Sequence, residues 1–155
     1  MDIGDLLADG GVVLRSGASS KRQALHVVAD AAAQALGLPE DRVLEALLER
    51  EALGPTGLGA GVAVPHARLE GVERVTAVFV RLDTPVAYGS VDDRPVDLLF
   101  ALFAPPRDGA DHLRALAAAS RALRSAEMRE QLRQARTADA IRALFVRDNA
   151  PATAA

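Results

Sequence analysis

The sequence contains no cysteine and no tryptophan, and aromatic residues make up only 3% of its 155 residues. Without cysteine there are no disulfides, no thiolate metal sites and no thiol nucleophile, which fits a reducing compartment. The few aromatic rings leave little surface on which single-stranded nucleic acid could stack. The formal net charge is -3, with charges of both signs interspersed, so we expect no nucleic-acid partner.

Long apolar runs are also missing. No stretch approaches the roughly 20 apolar residues that a membrane-spanning helix needs. The first residues, Met1-Asp2-Ile3-Gly4-Asp5, are acidic where a signal peptide would be basic. We therefore expect a cytoplasmic protein that does not insert into a membrane, and its length is typical of one domain.

Local signals predict alternating helices and strands. Ser20 and Gln23 form a capping box that opens a helix, and Gly37 is placed to end it. Pro39 suits the first turn of a second helix that ends near residues 50–53. Apolar and β-branched runs predict strands at 12–14, 62–64, 75–82 and 96–104, and the last run is typical of a central strand covered on both faces.

Two breaks and three further helices complete the prediction. Thr84-Pro85 and Tyr88-Gly89 are expected to break the strand pattern, so that residues 83–94 form loop or edge structure. Asp111 to about Leu123 is predicted to be a helix, and Ser125 and Thr137 are candidate N-caps for two more. The inward face of the helix over 111–123 is predicted to carry Leu113, Leu116, Ala117, Ser120 and Leu123. The expected fold is a single α/β domain over residues 1–148, a mixed sheet with helices on both faces, followed by a disordered tail at 149–155.

One stretch, Gly54 to Ala67, concentrates the chemistry. It combines a glycine-rich loop, a short apolar strand and Pro65-His66. Pro65 stiffens the backbone directly before His66, so we expect a well-positioned imidazole at the end of a core strand, open to a partner. The loop lacks the Gly-Lys-Ser/Thr ending of a nucleotide-binding loop and leads into a strand, which argues against ATP binding.

Histidine suits temporary phosphoryl storage, since neutral imidazole is nucleophilic near pH 7. In that scheme His66 is the nucleophile. His112, near a predicted helix N-terminus, would add a ring donor where backbone N–H groups favour anions. Arg50 could offer a guanidinium fork, and the Thr56 hydroxyl is a further candidate donor.

Other interpretations of these residues stand beside this one. Taken singly, each is more often an ordinary surface or core residue. Zinc bound by His66, His112 and Asp111 is disfavoured because the sequence lacks any short ligand spacing. A serine or cysteine hydrolase is disfavoured because there is no cysteine and no Gly-x-Ser-x-Gly turn. We expect neither a metal nor a cofactor. His26, on the polar face of the first helix, is expected to be solvated.

The order and spacing of several motifs resemble the enzyme IIA domain of the bacterial phosphoenolpyruvate-dependent phosphotransferase system, in its fructose/mannitol and nitrogen-regulatory branch. The resemblance covers roughly residues 5–146. Its central motif is Gly61-Val62-Ala63-Val64-Pro65-His66-Ala67. Around it lie Arg50-Glu51, Thr56-Gly57-Leu58-Gly59, Asp83-Thr84-Pro85-Val86-Ala87-Tyr88, Arg94 to Leu102 and Asp111-His112-Leu113.

This resemblance implies that His66 accepts a phosphoryl group from HPr or its nitrogen-branch paralogue. It also implies that His112 is the second active-site histidine and that Arg50 lies near the phosphate. The run from Pro95 to Leu102 looks most like the nitrogen-regulatory type, which binds target proteins such as potassium-transport components and sensor kinases. Ala60 and Ala67 depart from that type's usual residues. A sugar-specific IIA that passes the group to a IIB partner therefore stays open, as does an interaction module of the same fold that is not phosphorylated.

Overall fold

A computed structural model describes residues 2–148; Met1 and the predicted disordered tail at 149–155 lie outside the described residues. The described chain begins with a 3-10 helix at Ile3–Leu6. The strands are β1 (Leu7–Ser16), β2 (Gly57–Gly59), β3 (Val62–Ala63), β4 (His66–Arg68), β5 (Thr76–Val86) and β6 (Val96–Ala104). The helices are α1 (Lys21–Leu36), α2 (Glu40–Ala52), α3 (Ala110–Arg124), α4 (Ala126–Gln134) and α5 (Ala138–Asp148).

The six strands form one mixed sheet in the order β1-β5-β6-β3-β2, and β4 also pairs with β6. β6 runs antiparallel to β5 and parallel to β3 and β4, and β1 runs parallel to β5. The predicted central strand at 96–104 has the observed bounds. The predicted α/β fold with a mixed sheet is confirmed.

The side chains of β6 alternate between two apolar clusters, as the two-residue period of a strand requires. Leu99, Ala101 and Phe103 pack with residues of α1 and α2. Residues of α3, α4 and α5 cover the other face, against Leu98, Phe100, Leu102 and Ala104. Helices therefore cover both faces of the sheet, as predicted, and a strand buried on both sides needs a continuous apolar sequence.

Capping residues fix the ends of α1. Ser20 accepts a hydrogen bond from the Gln23 N–H, and Gly37 ends the helix with a φ of 69°. The side chain of Gln23 reaches one residue further back than predicted, because it accepts from the N–H of Ser19. Ser125 and Thr137 also accept hydrogen bonds from backbone N–H groups three residues later, as their predicted roles as N-caps require.

Two predicted details are wrong. β5 continues through Thr84-Pro85 to Val86, because its pairing with β6 shifts register between Arg81 and Val86 and so needs no N–H from the proline. On α3, the buried residues are His112, Ala115, Ala119, Ala122 and Leu123. Leu113 is 64% exposed and Ala117 is exposed as well, so the inward face of α3 differs from the predicted one.

No helix in residues 2–148 is long and apolar enough to cross a membrane.

Candidate functional site

His66 is the first residue of β4, just after the interruption that Val64-Pro65 makes between β3 and β4. The strand pairing aligns His66 with Leu102, and the Pro65 carbonyl accepts the Leu102 N–H at 2.9 Å. Nδ1 of the imidazole lies 3.0 Å from the Val64 carbonyl oxygen. Because a carbonyl oxygen only accepts, Nδ1 carries the proton and the lone pair of the neutral ring is on Nε2.

Arg50 reaches this lone pair from the last turn of α2. Its Nε donates to His66 Nε2 at 3.1 Å, and its Nη1 donates to the Gly54 carbonyl at 2.9 Å. The second contact holds the guanidinium against the turn that follows α2. The structure therefore places Arg50 directly at the unprotonated ring nitrogen of His66.

His112 comes from the first turn of α3, where it is buried at 4% exposure. Its ring centroid lies 5.4 Å from that of His66, with the two ring planes 57° apart. Burial, and then the neighbouring His66, lower the pKa of His112 to about 4. At neutral pH the second histidine is therefore an uncharged ring that can donate one N–H.

A cleft of about 500 Å³ opens over the two rings. Burial lowers the pKa of His66, the Arg50 and Arg68 guanidiniums lower it further, and the Val64 carbonyl and Glu51 oppose the shift. His66 is thus a neutral imidazole at pH 7, beside two cations that suit an anion. The other residues lining the cleft are Ala46, Glu49, Leu53, Ala67, His112, Leu113 and Leu116.

Thr56, the remaining predicted site residue, is buried beside the cleft. Its hydroxyl donates to Glu51, and its backbone N–H donates to the other oxygen of the same carboxylate at 3.0 Å. The hydroxyl proton is therefore engaged by Glu51 in this structure. His66, His112 and Arg50 meet at one place, and Thr56 lies behind them.

Two features of this site were not predicted from the sequence, the position of Arg68 and the exposure of two leucines. Arg68 lies two positions after His66 on β4, so the two-residue period of a strand could have placed both side chains on one face. Leu53 and Leu113 are 85% and 64% exposed at the cleft. Exposed leucines around a polar site indicate a surface for a protein partner. Leu113 is predicted to face the core because its spacing from Leu116 and Leu123 resembles that of a buried helical stripe. Leu53 follows the last residue of α2.

The sequence is similar to known proteins over most of its length. Residues 5–147 match the family described as "Phosphoenolpyruvate-dependent sugar phosphotransferase system, EIIA 2". The chain is 44% identical to a "Nitrogen regulatory protein" of Bradyrhizobium diazoefficiens, with all of both chains covered. It is 39% identical to a "PTS system fructose-specific EIIA component" of Haloferax volcanii, covering 76% of this chain and 77% of that one.

A solved structure also has this fold. Nitrogen regulatory protein IIA-Ntr from Neisseria meningitidis aligns with a TM-score of 0.87 at 34% identity, over 92% of this chain and 98% of that chain. Both the fold and the sequence thus agree over nearly the whole length. The chain belongs to the EIIA 2 family of the phosphoenolpyruvate-dependent sugar phosphotransferase system, whose members are phosphotransfer components.

Proposed function

We propose that this chain is a phosphocarrier whose His66 is reversibly phosphorylated on Nε2. The observation that carries the proposal is the state of the ring: Nδ1 donates to the Val64 carbonyl, and the Nε2 lone pair lies in a cleft beside Arg50. A neutral ring with one nitrogen fixed and the other accessible is what an attacking imidazole requires.

The donor is the phosphohistidine of HPr or its nitrogen-branch paralogue. The His66 Nε2 lone pair attacks phosphorus, an Nε2–P bond forms, and the donor's N–P bond breaks with its electron pair returning to the donor ring. For this lone pair to be free, Arg50 exchanges its hydrogen bond to Nε2 for one to a phosphoryl oxygen as the donor's phosphoryl group arrives. The His112 N–H is a second donor to these oxygens, and Thr56 is a third candidate once its hydroxyl turns from Glu51.

The exposed leucines of the cleft support a protein as the donor. Leu53 and Leu113 flank the histidines, with Leu116 partly buried beside them. An apolar rim around a reactive polar centre suits contact with a second protein surface, which also excludes water during transfer.

The output that we propose is regulation through phosphorylation-dependent binding to target proteins. The full-length match to a nitrogen regulatory protein supports this assignment, and the family resemblance names potassium-transport components and sensor kinases as the class of target. The similarity to a fructose-specific EIIA component favours one second candidate, transfer of the phosphoryl group to a IIB partner. Incubating the phosphorylated protein with a fructose-type IIB domain distinguishes the two, since only the sugar-specific type should lose its phosphoryl group rapidly.

Intact-protein mass spectrometry tests the carrier chemistry. The protein is incubated with phosphoenolpyruvate, enzyme I and HPr or its paralogue, and His66→Ala is run beside it. His26→Ala is the matched control, since His26 is an exposed histidine of α1 that pairs with Glu40. We expect one acid-labile phosphoryl group on the parent and on His26→Ala, and none on His66→Ala. Labelling of His66→Ala would show that another residue is the acceptor. An unlabelled parent beside a labelled control IIA would favour the interaction module that is not phosphorylated.

A further inference from the structure

Behind the cleft lies a buried carboxylate that the reaction described above does not use. Glu51 is 8% exposed at the end of α2. Four donors converge on its two oxygens: the Thr56 N–H at 3.0 Å, the Thr56 hydroxyl, the Tyr88 hydroxyl at 2.7 Å and the Lys21 ammonium at 3.3 Å. The donors belong to three residues, Lys21 on α1 and Thr56 and Tyr88 in two loops, so the carboxylate on α2 joins four parts of the chain at one point.

The Lys21 ammonium also lies 4.4 Å from the centroid of the Tyr88 ring, so its charge is shared between the carboxylate and the ring face. Burial, and then Glu51, raise the pKa of Tyr88, which keeps its hydroxyl protonated and donating. Glu51 thus accepts hydrogen bonds from Thr56 and Tyr88 and forms an ion pair with Lys21. A buried charge with this many partners is fixed in position.

An unbroken series of hydrogen bonds runs from this carboxylate to the reactive ring. Glu51 accepts the Thr56 N–H at 3.0 Å, the Thr56 carbonyl accepts the Val64 N–H at 3.0 Å, and the Val64 carbonyl faces His66 Nδ1 at 3.0 Å. The position of the Val64 carbonyl determines which ring nitrogen of His66 carries the proton. Displacing Thr56 would move that carbonyl and release the ring.

We infer that Glu51 is a positioning residue for phosphoryl transfer, which holds Thr56 so that the Val64 carbonyl keeps His66 in its Nδ1–H tautomer with Nε2 facing the cleft. This inference rests on the proposed function of His66 for its consequence in transfer, but the tautomer itself is a property of the unphosphorylated protein.

Two substitutions separate the reach of Glu51 from its charge. Glu51→Asp keeps the charge but withdraws the carboxylate by about 1.5 Å, one carbon–carbon bond, so that it no longer reaches the Thr56 N–H. Glu51→Gln keeps the reach and loses the charge. Its amide oxygen can still accept the Thr56 N–H, while its NH₂ group can donate to the Thr56 and Tyr88 hydroxyls, which turn to accept.

The tautomer is measured by the ring ¹⁵N chemical shifts of His66 at pH 7.5, on protein that has met no phosphoryl donor. We expect Glu51→Gln to keep the parent's pattern, with protonated Nδ1 and unprotonated Nε2, whereas Glu51→Asp shows a mixture of tautomers. The transfer rate at saturating phosphorylated HPr or paralogue should fall about tenfold in Glu51→Asp and stay within about threefold of the parent in Glu51→Gln. Glu45→Gln, an exposed carboxylate on the same helix, is the control for the lost charge and should transfer at the parent's rate.

The backbone amide spectrum of each variant establishes that it is folded. If Glu51→Asp is not folded, Glu51→Met takes its place, since it fills the volume with no acceptor and should show the same mixed tautomers. The inference is overturned if folded Glu51→Asp or Glu51→Met keeps the parent's tautomer and rate. It is also overturned if Glu51→Gln transfers more slowly than Glu51→Asp. If the parent itself accepts no phosphoryl group, the proposed function fails, and the tautomer measurement still decides the role of Glu51.

Discussion

His112 is the residue whose contribution to transfer can be worked out most directly from its surroundings. Its ring is buried beside His66, and its pKa of about 4 keeps it neutral in the physiological range. Nδ1 of His112 is buried and has no hydrogen-bond partner within residues 2–148. Because Nδ1 offers a proton no acceptor there, we expect the neutral ring to carry its proton on Nε2 and to act on a phosphoryl group as a neutral hydrogen-bond donor.

The size of the effect follows from the bond that is lost. A hydrogen bond to a charged group contributes about 1.5–3 kcal/mol, so His112→Ala should slow phosphoryl acceptance about 10- to 150-fold. His112→Gln keeps an N–H donor of similar reach and should lose less. The assay is a single-turnover reaction with excess phosphorylated HPr or paralogue, quenched on the millisecond scale and counted as acid-labile phosphoryl on the protein.

The pH dependence tests whether the donor is neutral. Because His112 stays unprotonated above about pH 5, the ratio of the parent's rate to that of His112→Gln should be constant from pH 6 to pH 8. Titration of His66 affects both proteins and cancels in the ratio. If His112 instead acted as a cation with an ordinary pKa near 6.5, the ratio would rise as the pH falls through 6.5. A rising ratio, or an alanine variant as fast as the parent, would refute the reasoning.

Two further results are expected. The pKa of His112 is lower in the folded protein than in the unfolded chain, so this residue destabilises the fold as the pH falls. It should lower the unfolding free energy by up to about 2 kcal/mol between pH 7.5 and pH 5. Urea unfolding should show a correspondingly smaller fall for His112→Gln. Leu113→Asp should weaken binding of unphosphorylated HPr or paralogue by about tenfold or more in titration calorimetry, whereas Val146→Asp, a half-exposed apolar control on α5, should bind as the parent does. Equal binding by both variants would contradict a docking role for the exposed leucines of the cleft.

Much of the fold could be predicted because its signals are local. The run at 96–104 is apolar at nearly every position, which only a strand covered on both faces tolerates. The ends of α1 follow from Ser20 and Gly37, whose side chain and left-handed backbone satisfy groups within a few residues. Pro85 in β5 could not be predicted, because the register shift that accommodates it depends on the partner strand.

The difference between local and long-range signals also separates the predicted part of the site from the rest. The strand after the glycine loop could be predicted from its sequence, but the roles of His66, His112 and Arg50 came from the family resemblance. Glu51 illustrates why the rest of the site could not be predicted. Its partners Lys21 and Tyr88 lie far from it in sequence, and no local pattern indicates that they meet. The prediction that Leu113 faces the core was wrong for another reason. Periodicity identifies an apolar stripe and does not say whether a core or a partner covers it.

The geometry also explains how another protein could distinguish the phosphorylated from the unphosphorylated form. In the unphosphorylated cleft Arg50 donates to Nε2, the atom that the proposed reaction modifies, so phosphorylation must displace the guanidinium. A phosphoryl group on Nε2 would bring close to two negative charges into a cleft lined by Arg50, Arg68 and the exposed Leu53 and Leu113, and the Arg50 guanidinium would have to take a new partner. Charge and side-chain position would then change together on the apolar rim itself. A partner that docks on the rim could therefore distinguish the two states without any rearrangement of the sheet.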